Sequence, residues 1–384
     1  ENIDGHRRRM GSFGDDDNNG IKQRLGRLTM MNFDLRGIGK LSLASALVVG
    51  GLFGTSQVGA AEINLRASGL VSTHKYHVAL ERNFYKSLAE KTGHKFNVNY
   101  NPLDVVGVSM KDTLRLARKG TFDIVQSTVG EAARDDPFLE GLDLIGVSPS
   151  LDELKKAINA YRDVFSKRVE KKFNTKVMTL WPYGPQVFYC KPKITGLKDF
   201  KGLKIRTYTP SMSALVQAVG GTPVALSFKE VYPGLQRGIA DCAITSPTSG
   251  NTGNWPEVTT HYFPLGISWS VNAHFMNLDT WNKLSAGQQK KLEAAYRDVE
   301  EQFWDLARNN TGDADSCNSG GPCKNFKKFS MTLVKPSAED KAILAKASSS
   351  AVLPTWAKSC KNVEPNCVQM WNDTVGKARG FEIK

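Results

Sequence analysis

Between Gly202 and Pro247, short apolar runs alternate with segments of helical period. A strand pattern carrying Leu203 and Ile205 ends at Arg206. A helical segment and a Gly-Gly turn follow, then a second strand pattern with Val224 and Leu226. A further helix, reading KEVYPGLQRG, ends at a glycine and leads into a strand over Ile239 to Ile244. Such switching between periods of two and 3.6 predicts a β-α-β-α-β unit, a parallel sheet with helices on its faces. The N-terminal part reads the same way. A strand over Glu62 to Gly69 precedes an amphipathic helix over Tyr76 to Thr92, with Val78, Leu80, Phe84, Leu88 and Ala89 on its apolar side. A strand at Phe96 to Tyr100, a helix at Lys111 to Lys119 ended by Gly120, and a short buried strand at Phe122 to Val125 complete it.

The rest of the chain predicts how these units join. Asp152 to Phe173 is a long helix with a basic face, and Val177 to Trp181 and Val187 to Cys190 are strands. A crossover into a second domain falls near Trp181 to Gly184, and Trp269 to Met276 is a strand returning to the first. Leu284 to Asn310 is a long helix, with Ser285 as N-cap and Gln288 at the capping-box position. Its apolar stripe runs through Leu292, Ala295, Tyr296, Val299, Phe303, Leu306 and Ala307, long enough to cross both domains. The predicted fold class is α/β, two lobes with a ligand cleft between them and a long bracing helix. Lobe I takes residues 62–182 and 270–311, and lobe II takes 183–269 and 312–384.

Composition adds a compartment. Residues 1–30 are polar and aperiodic and are set aside as a disordered or artefactual leader. Residues 31–61 read as a signal peptide: Arg36 and Lys40 form a positive start, Leu41 to Phe53 an apolar run too short to span a bilayer, and Val58 to Ala61 the small-residue cleavage sites. Six cysteines agree with export. Cys317 and Cys323 flank a Gly-rich loop, Cys360 and Cys367 flank another short polar loop, and neither pair has a histidine at zinc-ligand spacing. Two local disulfides and an oxidising compartment follow, with no metal expected. Cys190 and Cys242 each close a strand pattern, and pair with one another or stay as separate buried thiols. The net charge of +13 is spread along the chain, which argues for a basic surface and against a nucleic-acid partner.

The Gly202 to Pro247 stretch also resembles the DctP-type solute-binding proteins of TRAP (tripartite ATP-independent periplasmic) transporters. The matching elements are Gly202-Leu203-Lys204-Ile205-Arg206, Gly221-Thr222-Pro223, Glu230 to Gly238, and Ile239-Ala240-Asp241. The likeness extends more weakly from about Glu62 to the C-terminus. It implies a periplasmic receptor that captures an organic carboxylate and delivers it to TRAP membrane permease subunits, without catalysis and without a cofactor. It also implies that Arg206 clamps the carboxylate. A guanidinium fork matches a carboxylate in two contacts, and ligands of open α/β sheets bind at the carboxyl ends of strands.

Further cleft residues are expected around Arg206. Gln186 stands about where many family members carry a second arginine. This favours a monocarboxylate, a 2-oxo or aromatic acid, over a dicarboxylate. Thr245 and Ser246 follow the last strand of the motif, where relatives use an asparagine. Trp181, Tyr183, Tyr208, Phe228, Trp255 and Trp269 cluster around the expected cleft, and Trp181, Tyr183 and Trp269, which fall where strands meet crossovers, are expected as its aromatic walls; His74 follows the first strand. For each of these a structural role is the competing reading: core packing for the aromatics, a turn for Thr245 and Ser246, helix entry for His74. The alternative function is a secreted enzyme acting on small organic acids, which predicts a nucleophile–base pair or metal cluster beside Arg206. The sequence holds no P-loop, Rossmann glycine fingerprint, HExxH or GxSxG motif.

Overall fold

The computed structural model describes residues 62–384, and the leader and signal-peptide expectations lie outside the described residues. Among the described residues, eleven strands form two mixed sheets. The first sheet holds β1 (Ile63–Gly69), β2 (Phe96–Pro102), β3 (Ile124–Thr128), β4 (Thr175–Pro182) and, from much later in the chain, β10 (Val271–Asn277). Its order is β2-β1-β3-β10-β4, with β10 antiparallel to both neighbours. The second sheet holds β5 (Val187–Cys190), β6 (Lys204–Thr207), β7 (Thr222–Ala225), β8 (Cys242–Thr245), β9 (His261–Phe263) and β11 (Thr332–Leu333), in the order β11-β9-β5-β8-β6-β7. The two-lobed α/β class expected from the pattern is the fold observed. Within the second sheet β6 lies parallel to β7 and β8, as the β-α-β-α-β reading requires. Strand β5 runs against them, antiparallel to both β8 and β9, so neither sheet is purely parallel.

Helices cover both sheets. The first three are α1 (Lys75–Thr92), α2 (Thr113–Arg118) and α3 (Val129–Ala132). α1 buries His77, Val78, Glu81, Phe84, Tyr85 and Leu88, while Leu80 is only partly buried and Ala89 is exposed, so its buried stripe lies rotated from the expected one. Polar His77 and Glu81 enter that stripe because they find partners inside. His77 stacks on Tyr183 at 4.1 Å, and Glu81 bonds His274 at 3.0 Å and accepts from the Tyr100 hydroxyl at 2.6 Å. α4 (Leu151–Phe173) starts at a capping box formed by Ser150 and Glu153. The second lobe carries α5 (Pro210–Ala218), α6 (Phe228–Gln236) and α7 (Pro247–Thr252).

The chain crosses from the first sheet to the second through residues 183–186 and returns through 264–270. These crossing segments bond each other: Gln186 N–H to Ser268 O at 2.8 Å and Ile267 N–H to Gln186 O at 3.0 Å. Two later helices follow β10. They are α8 (Leu278–Asn282) and α9 (Ala286–Asn318), the latter capped by Ser285 and Gln288 as expected but running eight residues beyond the anticipated end. α9 braces both lobes. The Trp304 indole donates to Leu180 O on β4 at 3.1 Å, and Asn318 near its far end donates to the Tyr189 hydroxyl on β5 at 2.8 Å. The C-terminal helices pack against α4 and α5, with the Trp356 and Trp371 indoles bonding Pro137 O and Gly141 O at 2.8 Å each.

Cysteines pair as Cys190–Cys242, Cys317–Cys323 and Cys360–Cys367. The first was left open by the sequence. Cys190 and Cys242 stand directly opposite one another on antiparallel β5 and β8, with Cα atoms 4.0 Å apart, within bridging reach.

Candidate functional site: a cleft between the lobes

A cleft of about 500 Å³ opens between the two sheets at the carboxyl ends of β3, β6 and β8. Arg206 forms its floor and is 2% exposed. Two of its nitrogens are spent on backbone carbonyls: Nε donates to Leu226 O at 3.0 Å and Nη1 to Ile244 O at 2.7 Å. Its guanidinium also lies over the Tyr208 ring at 4.8 Å and the Trp255 ring at 5.6 Å. These contacts fix its plane. Among the described residues Nη2 has no hydrogen-bond acceptor. Burial lowers the Arg206 pKa to about 10, opposed by the charge of Glu131, so the group stays cationic at neutral pH.

Several expected residues meet Arg206 in this cleft. Gln186, Thr245, Tyr183 and His74 line it. Gln186 is almost fully buried; its Nε2 donates to Gly184 O at 2.9 Å and its Oε1 accepts from the Tyr208 hydroxyl at 2.8 Å. Most of its bonding capacity therefore holds the crossing segment. His74 packs edge-on to Tyr183 at 5.1 Å and against Phe228 at 4.7 Å, so aromatic rings of the two lobes touch across the cleft. Burial pushes its imidazole down to about 3, against the pull of Asp104, which leaves a neutral ring at pH 7.

Three expected residues lie elsewhere. Trp181 is fully buried behind the cleft and stacks on Phe303 of α9 at 4.1 Å, because the stretch from Thr175 to Pro182 is a strand packed under the brace. Trp269 turns outward, its indole donating to Pro149 O at 3.0 Å. Ser246 turns back to cap α7, accepting from Ser249 N–H at 3.1 Å, a bond a strand-end serine makes when a helix starts at the next residue.

The cleft also holds residues the sequence reading missed. Glu131 follows β3 on α3, and Thr128 closes that strand. Asp104 and Gly107 to Asp112 form the lip and Ser270 part of a wall, while Tyr208 and Phe228, two of the aromatics expected around the cleft, complete the walls. The strand-end rule that selected Arg206 points equally to Thr128 and Glu131, but the strand was ended at Val125, three residues early. Among the described residues no group of three or more His, Cys, Asp or Glu side chains is placed to hold a metal, and no lining serine or cysteine is hydrogen-bonded to a histidine.

Fold and cleft together define a two-lobed α/β binding protein. The chain belongs to the bacterial extracellular solute-binding proteins of family 7, the DctP family, whose model matches residues 67–358. The ectoine-binding periplasmic protein TeaA of Halomonas elongata is 31% identical over 160 residues, 41% of this chain and 46% of that protein. An extracytoplasmic solute receptor of Bordetella pertussis binding pyroglutamic acid superposes with a TM-score of 0.72 at 18% identity, covering 81% of this chain and 99% of that one. A TRAP periplasmic solute binding protein from Desulfovibrio salexigens with bound orotic acid superposes with a TM-score of 0.73 at 15% identity, covering 82% and 99%. Members of the family are periplasmic solute receptors that bind small molecules and work with TRAP membrane permeases.

Proposed function

We propose that this protein is a periplasmic receptor that captures a small organic carboxylate in the cleft and delivers it to a TRAP-type permease. One observation carries the reading. Arg206 is a buried cation at a strand end whose orientation is set by the protein and whose Nη2 is left for a ligand. A desolvated guanidinium pairs strongly with a carboxylate, and its plane needs no reordering on binding. The relatives above support an acid as ligand, since two of them bind pyroglutamic and orotic acids. The rings of His74, Tyr183, Tyr208 and Phe228 suit a ligand with a ring or apolar part. The Gln186 amide is bonded to Gly184 O and the Tyr208 hydroxyl, so it gives no particular support to a 2-oxo group.

The test is a thermal-shift screen over organic acids with the secreted protein and with Arg206→Ala. Binding raises the melting temperature by mass action, by about 2.7 kcal/mol of stabilisation at a hundredfold excess over Kd. Carboxylates should shift the wild type and leave Arg206→Ala unmoved. An equal shift in both proteins refutes the clamp.

A further inference from the structure

The walls of the cleft carry opposite charges, and one of them is unanswered. Four acidic and three cationic side chains line it: Asp104, Asp112, Glu131 and Glu230 against Lys111, Arg206 and Lys229. Three of the acids are engaged. Asp104 accepts from Ser72 N–H at 2.8 Å and from its hydroxyl, Asp112 pairs with Arg115 at 2.5 Å, and Glu230 closes the capping box of α6 with Ser227 N–H at 2.9 Å. Glu131 differs. Among the described residues its carboxylate has no hydrogen-bond or ion-pair partner, although the residue is partly buried.

Its position is tightly fixed. At the preceding Gly130, α3 comes so close to the second lobe that an added Cβ would lie 2.7 Å from Thr209 Cγ2. The charges that act on Glu131 are Arg206, Arg134 and Lys111, in that order, and burial raises its carboxyl against all three. Arg134, Lys111 and Lys229 are exposed and solvated. Arg206 and Glu131 therefore sum to zero inside the cleft. A plain carboxylate adds an uncompensated negative charge there, which is costly in a desolvated site. A ligand that brings its own cation leaves the sum at zero and gives Glu131 a partner.

We propose that the cleft selects a zwitterion, a carboxylate that also carries a cationic nitrogen, with the carboxylate on Arg206 Nη2 and the nitrogen facing Glu131. This rests on the carboxylate reading above. It makes Glu131 a specificity-determining residue and a plain dicarboxylate a poor ligand.

Matched pairs that exchange the cationic nitrogen for oxygen test it by calorimetry: proline against tetrahydrofuroate, and pipecolate against its tetrahydropyran isostere. The wild type should bind the nitrogen member of a pair about tenfold or more tighter. Glu131→Gln, which keeps the shape and removes the charge, should reduce the preference to about threefold or less. Equal affinity within the pairs, or a preference unchanged in Glu131→Gln, overturns the proposal. So does a wider acid screen in which nitrogen-free acids bind and no zwitterion does. The parent reading fails separately, by binding that persists in Arg206→Ala, and silence of both pairs and the whole screen sinks both.

Discussion

The two walls of the cleft are built to different degrees. On the second lobe, Arg206 is held by two carbonyls and two rings, and the strands beneath it are tied by the Cys190–Cys242 bridge. On the first lobe, Glu131 has no described partner and His74 presents a neutral ring whose Nδ1 is unpaired. The lesson is a division of labour. On the proposed reading, one wall is finished before a ligand arrives and the other is completed by it. Pre-formed groups lower the ordering cost of binding, while unanswered groups supply discrimination because a wrong ligand leaves them buried and unpaired.

The largest test of this contrast removes the bridge. Cys190 and Cys242 are 52 residues apart, and closing a loop of that length stabilises by about 4 kcal/mol in the chain-entropy account. Replacing both by alanine should lower urea stability by roughly that amount. If the second wall is finished by its sheet pairing, affinity for a carboxylate under conditions where the variant is folded should change by less than about threefold. A collapse of affinity in parallel with stability would mean that the bridge, not the sheet, orders Arg206.

Arg206→Lys tests the finish of that wall more finely. The charge survives, but the two carbonyl bonds and the flat contact with Tyr208 are lost. Carboxylate affinity by calorimetry should fall about ten- to a hundredfold, the effect of losing a charge-assisted bond, about 1.5–3 kcal/mol. A lysine that binds as tightly as arginine would show that a point charge suffices and that the prepared plane is irrelevant.

The smallest effect concerns Asp143, which shares a small cavity with Thr128 and Tyr208 at the junction of the two walls and accepts from Val271 N–H at 3.0 Å. Burial raises its carboxyl to about 7, with the Val271 N–H pulling the other way. Its unfolded value is the ordinary one, 3.8. Between these values the folded protein holds the extra proton, so stability falls as pH rises from about 4 to 7. Asp143→Asn should therefore match the wild type in melting temperature near pH 4 and exceed it at pH 8. A constant offset across that range would assign the difference to packing instead.

How legible these features were in the sequence follows from their physics. The β-α-β-α-β run was readable because β6, β7 and β8 sit in unbroken local order with glycines marking each stop. The antiparallel placement of β10 between β3 and β4 was not, since a period of two reveals a strand but not its neighbour. The α9 start was legible through Ser285 and Gln288. Its end was not, because Cys317 and the following glycines read as a loop while the helix continues through the first cysteine. Within the site, a charged residue at a strand end was a strong signal and an aromatic at a strand end was weak. Trp181 satisfies the packing needs of the brace as readily as those of a cleft, and only the direction of its side chain separates the two. Glu131 escaped because a single misplaced strand end hid it.

The place of β10 has a consequence for the chain's life before it is finished. The first sheet needs a strand supplied by residues 271–277, after every strand from β5 to β9 has already been made. A polypeptide appearing N-terminus first exposes the edge of β3 throughout that interval, and the clasp of Asn318 on Tyr189 comes later still. Contacts so distant in sequence form slowly. A fragment that stops short of Val271 lacks this strand and leaves the facing edges of β3 and β4 unpaired.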